Sequence, residues 1–170
     1  IILMGDSVAT AFYGMKNTRE IKLDTMINHA ISVRKSIKKS LLVFDMPFGT
    51  YRNIKEAQKN VKKVLFETNC DAVKLESNGK NFKILKTLAK SGINVMGHIG
   101  YTPQYKKYFS PQGLKHKEEI KLMDEAKNIE DAGAFAIVLE CVKADLAKKI
   151  TKNLQIPTIG IGSSKYCNCL

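Results

Sequence analysis

Short apolar runs and longer amphipathic stretches alternate along this chain. Ile1–Met4, Leu41–Phe44, Ala72–Glu76, Ile93–Met96, Phe135–Leu139 and Thr158–Ile161 are apolar almost throughout. Runs this short and this apolar predict strands buried on both faces. Between them, apolar residues recur every three or four positions. Met26, Ile27, Ala30, Val33 and Ile37 mark a helix over Leu23–Lys39. Ile54, Ala57, Val61, Val64 and Leu65 mark one over Ile54–Thr68. Phe82, Leu85 and Leu88 do so over Asn81–Lys90, and Leu122, Ala126 and Ile129 over Glu118–Ala132. Ala144–Asn153 is the last helix. Such spacing puts the apolar side chains on one helical face. Gly92 and Gly133 stand where helix C-caps belong, and Thr10–Lys22 and Gly100–Lys115 are expected as polar loops.

Strand and helix thus alternate every ~30 residues, the size of a βα unit. The pattern predicts one α/β domain over 1–170, a parallel sheet covered by helices. An α/β barrel and an open doubly wound sheet both fit. No G-x-G-x-x-G follows the first strand, which weighs against dinucleotide binding.

The strands end in polar residues: Asp6 and Ser7, Asp45, Lys74 and Glu76, His98, and Glu140. Residues i and i+2 of a strand face the same way, so Lys74 and Glu76 project together from an apolar run. An internal ion pair would explain them, but buried ion pairs add little stability. A single Asp after a strand is often only a helix cap. Four carboxylates ending four strands point instead to the carboxyl-end face of a barrel, where catalytic groups gather. Carboxylates so close would raise one another's pKa, and a divalent cation relieves that. Oxygen ligands favour Mg2+ over zinc. A Mg2+ site beside a lysine suits a 2-keto acid, whose enolate the cation stabilises.

Composition narrows the field. No apolar run approaches the ~20 residues of a membrane helix. Four scattered cysteines, with only Cys167-x-Cys169 close together, fit a reduced cytoplasmic protein with no zinc site. The net charge of +12 is spread over nearly every helix, and a general richness in Lys, Ile and Asn accounts for it. Tyr105-Lys106-Lys107-Tyr108-Phe109 interleaves basic and aromatic residues, but it is too short to predict nucleic-acid binding.

Six segments together carry a resemblance: Gly5-Asp6-Ser7, Asp45-Met46-Pro47-Phe48, Val73-Lys74-Leu75-Glu76, Gly97-His98-Ile99-Gly100-Tyr101-Thr102-Pro103-Gln104, Val138-Leu139-Glu140-Cys141 and Ile159-Gly160-Ile161-Gly162. In order and spacing they resemble the motifs of the ketopantoate hydroxymethyltransferase family. The resemblance implies a (β/α)8 TIM barrel of the phosphoenolpyruvate/pyruvate-binding type. It implies transfer of a one-carbon unit from methylene-tetrahydrofolate to α-ketoisovalerate (3-methyl-2-oxobutanoate) to give ketopantoate, in pantothenate and coenzyme A biosynthesis. Asp6, Asp45 and Glu76 match metal positions, Glu76 through water. Asp6, Ser7, Asp45 and Lys74 match keto-acid-binding positions. Glu140 matches the proton acceptor. His98 matches a position near the substrate, with a structural histidine as the alternative. A large cytoplasmic homo-oligomer, with neither nucleic acid nor membrane as partner, is the expected setting.

The sequence departs from that pattern in places. Val8-Ala9-Thr10 replaces Leu-Gly-Met, the loop Tyr105–Lys117 keeps only Pro111-Gln112-Gly113 of a glycine-rich stretch, and the end lacks Asp-Gly-Gln. By the resemblance, these loops would close over substrate or folate. Six strands are also fewer than a closed barrel needs, so the chain is expected to be the central part of a longer protein, without the first strand and the C-terminal unit. Another Mg2+-dependent keto-acid lyase or mutase, or an inactive fragment, is the alternative reading.

Overall fold

The computed structural model describes all residues, Ile1–Leu170. Strands β1 (Ile2–Met4), β2 (Leu42–Asp45), β3 (Ala72–Glu76), β4 (Val95–Gly100), β5 (Ala136–Glu140) and β6 (Thr158–Ile161) form one sheet. Every neighbouring pair is parallel, and the strands lie in sequence order from β1 to β6. A doubly wound sheet reverses its order at a switch point. This one does not, so it is a segment of barrel wall, incomplete at six strands.

The helices are α1 (Val8–Ala11), α2 (Leu23–Ser36), α3 (Ile54–Thr68), α4 (Phe82–Lys90), α5 (His116–Asp131) and α6 (Ala144–Asn153). The first is a single turn, and with a 3-10 turn at Thr18–Glu20 it occupies the predicted loop 10–22. Each longer helix ends within about a turn of its predicted limit; α2 stops at Ser36, not Lys39. The larger difference is β4. It runs on to Gly100, so His98 lies within the strand and not after it. Pairing explains the extension: Glu76 is in register with His98 on one side and Glu140 with Gly100 on the other.

The two sheet faces differ. Leu42, Phe44, Val73, Leu75, Val95, Ile99, Ile137 and Leu139 pack with the helices in one large core. Val43, Ala72, Met96, Ala136 and Val138 form a second, small cluster on the concave face, with Leu3 and Ile159 beside it. Strand alternation then dictates what comes next on that face. Two residues on from Val43 is Asp45; from Ala72, Lys74 and then Glu76; from Met96, His98; from Val138, Glu140. The inner face is therefore an apolar floor with a polar rim at the strands' carboxyl ends.

Glycine matters most where β4 meets β5. Gly100 has φ +97, and a Cβ there would sit 2.1 Å from the Glu140 carbonyl oxygen. At the far edge, the chain end pairs with β6: Gly160 N–H donates to the Cys169 carbonyl (2.8 Å), and Cys169 N–H to that of Thr158 (3.1 Å). Cys169 thus bridges to β6 with its backbone, and all four cysteines are free thiols. No helix is long and apolar enough to cross a membrane.

Candidate active site

The rim brings together all but one of the predicted residues. Asp6, Asp45, Lys74, Glu76 and His98 are buried at its centre, and Glu140 is partly open at its margin. Ser7 is the exception. It is exposed in the turn entering α1, and its carbonyl accepts from the Thr10 hydroxyl. Of its side chain, the structure shows that Oγ would crowd a Cβ on Gly5, at 3.2 Å.

Lys74 pairs with the neighbouring strand. Its Nζ donates to Asp45 Oδ1 at 2.6 Å. Register makes this inevitable, because Asp45 and Lys74 are directly paired on parallel strands. Asp45 Oδ2 accepts the backbone N–H of Asp6 at 3.2 Å. Burial disfavours the Lys74 ammonium, but Asp45, Glu76 and Asp6 together outweigh it and raise the pKa above the ordinary value.

The other two acids are short of positive charge. Burial, reinforced by Asp45, pushes Asp6 up to about 7 despite the opposing pull of Lys74. Burial pushes Glu76 up to about 9, again against Lys74 and with Asp45 and Asp6 adding to the rise. Glu76 Oε2 accepts the Gln104 backbone N–H at 3.0 Å, while Oε1 is buried with no hydrogen-bond partner.

His98 stands between two carboxylates. Its Nε2 is 3.2 Å from Glu140 Oε2 and its Nδ1 is 3.8 Å from Glu76 Oε1. Neither contact has hydrogen-bond alignment, and both ring nitrogens are buried. Burial and then the Lys74 charge lower the His98 pKa, so the ring is held neutral. Just after Glu140, Cys141 adopts φ +53, a left-handed conformation uncommon outside glycine. Tyr101 N–H donates to the Glu140 carbonyl and Gln112 N–H to that of Cys141, and these bonds hold the turn.

Sequence reasoning did not assign a role to Gln104 or Tyr51, both buried beside the acids. Gln104 Nε2 donates to Asp6 Oδ2 at 2.9 Å and to the Met46 carbonyl at 3.0 Å. Its Oε1 accepts the Tyr51 hydroxyl at 2.5 Å. The only signal available was Gln104's place at the end of the longest motif.

The acids share one rim, yet they do not converge as closely as the strand-end pattern implied. No three Asp, Glu, His or Cys side chains form a compact ligand cage. The physical reason is what lies among them. Lys74 holds one oxygen of Asp45, and Gln104 bonds to both Asp6 and Glu76. A hard divalent cation still fits this set. Mg2+ binds through one or two carboxylates and keeps several waters. The orphaned Glu76 Oε1 and the excess of buried acid over base are the features that such a cation satisfies.

Comparison with known proteins follows the same line. The family model described as ketopantoate hydroxymethyltransferase matches residues 1–169. The 3-methyl-2-oxobutanoate hydroxymethyltransferase of Pelagibacter ubique is 49% identical over 168 residues, covering 99% of this chain and 65% of that protein. The enzyme of the same name from Bartonella tribocorum is 46% identical over 172 residues, covering 99% and 64%. The chain therefore spans a little under two thirds of the length of these relatives. Among solved structures, a phosphonopyruvate hydrolase in complex with oxalate and Mg2+ superposes with TM-score 0.69 at 12% identity, covering 98% of this chain and 68% of that one. A 2,3-dimethylmalate lyase of the PEP mutase/isocitrate lyase superfamily gives 0.66 at 13% identity, covering 95% and 58%. At these identities the structural likeness shows the barrel fold alone.

Proposed function

Because this chain belongs to the ketopantoate hydroxymethyltransferase family, we propose that its protein transfers a hydroxymethyl group from methylene-tetrahydrofolate to 3-methyl-2-oxobutanoate, forming ketopantoate. The observation that carries this reading is the rim itself: three buried carboxylates with one lysine, and a fourth carboxylate, Glu140, set apart and more open. Asp6, Asp45 and Glu76 would hold Mg2+, and Lys74, Asp6 and Asp45 would bind the keto acid, with Ser7 reaching it only from the exposed turn after β1. A bound Mg2+ polarises the ketone and makes the neighbouring C3 proton more acidic.

Glu140 takes that proton. It is the acid that neither Lys74 nor Gln104 occupies, and the His98 ring beside it is held neutral and so does not neutralise it. The electron pair left on C3 forms the new bond to the one-carbon unit; that carbon's bonds to the folate nitrogens break, water supplies the hydroxyl oxygen, and tetrahydrofolate leaves with the proton on nitrogen.

The test is exchange of the C3 proton of 3-methyl-2-oxobutanoate with solvent deuterium, followed by NMR with Mg2+ present. Exchange without folate, and ketopantoate formed only with methylene-tetrahydrofolate, is the expected result. No exchange in the wild-type protein would sink the reading. A keto-acid lyase or mutase of the same barrel type would turn over substrate without the folate.

A further inference from the structure

Gln104 makes more contacts to the rim than any of the charged residues that sequence reasoning selected. It enters from the loop after β4 and reaches the ends of three strands. Its Nε2 donates to Asp6 Oδ2 beyond β1 and to the Met46 carbonyl beyond β2. Its backbone N–H donates to Glu76 Oε2 at the end of β3. The Met46 carbonyl decides which way the Gln104 amide faces, and Tyr51 braces the amide oxygen. The phenol is buried and held protonated, its pKa raised well above the ordinary value by that burial, so its O–H donates to Oε1. A flipped amide would set Oε1 against the Met46 carbonyl, which can only accept.

We infer that Gln104, braced by Tyr51, is a positioning residue that turns the Asp6 and Glu76 carboxylates so that each offers an oxygen to the site's divalent cation. One oxygen of each acid is committed to Gln104, and the Glu76 Oε1 that remains is the buried atom without a partner. An amide suits this task better than a lysine or arginine. It donates to Asp6 yet adds no positive charge, while the backbone N–H of the same residue, placed by that anchored side chain, serves Glu76, so the acids keep their attraction for a cation. Outer partners of this kind orient metal-binding carboxylates and tune their affinity. The inference rests on the proposed Mg2+-dependent reaction, but its test does not require turnover.

Mg2+ binding to the protein at its natural full length is measured by calorimetry for wild type, Gln104→Met and Tyr51→Phe, beside the melting temperature of each metal-free protein. Gln104→Met keeps the side-chain length and removes the amide; Tyr51→Phe removes one hydroxyl. We expect Gln104→Met to weaken Mg2+ by ~10–100-fold with a matching loss in kcat and little change in KM for the folate. Tyr51→Phe shifts both the same way by less. Should Gln104→Met fail to fold, Tyr51→Phe decides alone. Unchanged Mg2+ affinity in a folded variant overturns the inference, and so does a melting-temperature loss without an affinity change. A wild-type protein that binds no Mg2+ overturns it as well. Weakened Mg2+ binding in a protein that forms no ketopantoate supports the inference while refuting the proposed reaction.

Discussion

Lys74 donates to Asp45 on the adjacent strand, Nζ to Oδ1 at 2.6 Å, and not to Glu76 two residues along its own strand. Both ends of this pair are nearly excluded from solvent. The pairing leaves Glu76 the rim acid most in need of a cation, and it holds Asp45 in place on the adjacent strand.

Removing one partner exposes the cost of burying the other. Lys74→Met should lose ~3–5 kcal/mol of stability, because Asp45 is left as an uncompensated buried charge. Lys74→Met combined with Asp45→Asn should recover a good part of that loss, since no lone charge remains. Urea unfolding of the two single variants and the double variant measures the coupling. Additive losses would mean that the pair does not interact as the geometry shows.

Stability should depend on pH and on Mg2+ together. The folded-state values of about 7 for Asp6 and about 9 for Glu76 exceed their ordinary 3.8 and 4.5. Both acids bind protons more tightly when folded. Their contribution to stability is therefore complete below the ordinary values and is lost as pH rises through 7 and then 9. The metal-free protein should melt at lower temperature at pH 9 than at pH 6. Mg2+ at a hundredfold excess over its Kd should add about 2.7 kcal/mol, and binding near pH 7–8 should release protons, seen as buffer-dependent heats in calorimetry. Glu76→Gln should remove much of that release.

Glu140→Gln should lower C3 deuterium exchange by ~10²–10⁴-fold, the usual contribution of a general base. Binding of the keto acid should survive, because Glu140 lies apart from the Lys74–Asp45 pair. Exchange at the wild-type rate in this variant would remove Glu140 from the role of base.

Gly100→Ala should lose both stability and exchange. The added Cβ meets the Glu140 carbonyl, which is backbone and cannot move aside, and φ +97 is itself unfavourable for alanine. Gly97→Ala is the comparison. Its Cβ would meet Ile129 Cγ2 at 2.4 Å, on the helix-facing side of the same strand. Overpacking there costs ~1–3 kcal/mol, with a smaller fall in exchange once the protein is folded. Thermal melts and NMR exchange rates separate the two outcomes.

The sequence alone determined the order of elements, the parallel α/β class and the side of the sheet on which the chemistry sits. These are local properties. A period of two or of about 3.6 is written into neighbouring residues, and a polar residue closing an apolar strand already marks the strand's carboxyl end. Asp6, Asp45, Lys74, Glu76, His98 and Glu140 were legible for that reason. Tertiary structure alone decided which of them meet. Strand register, not spacing along β3, joined Lys74 to Asp45 and carried β4 on to Gly100, and it set His98 between Glu76 and Glu140. Gln104 reaches Asp6 across 98 residues. A neutral side chain in a loop carries no periodic or charge signal, so its place among the acids emerges only when the strand ends are brought to one rim.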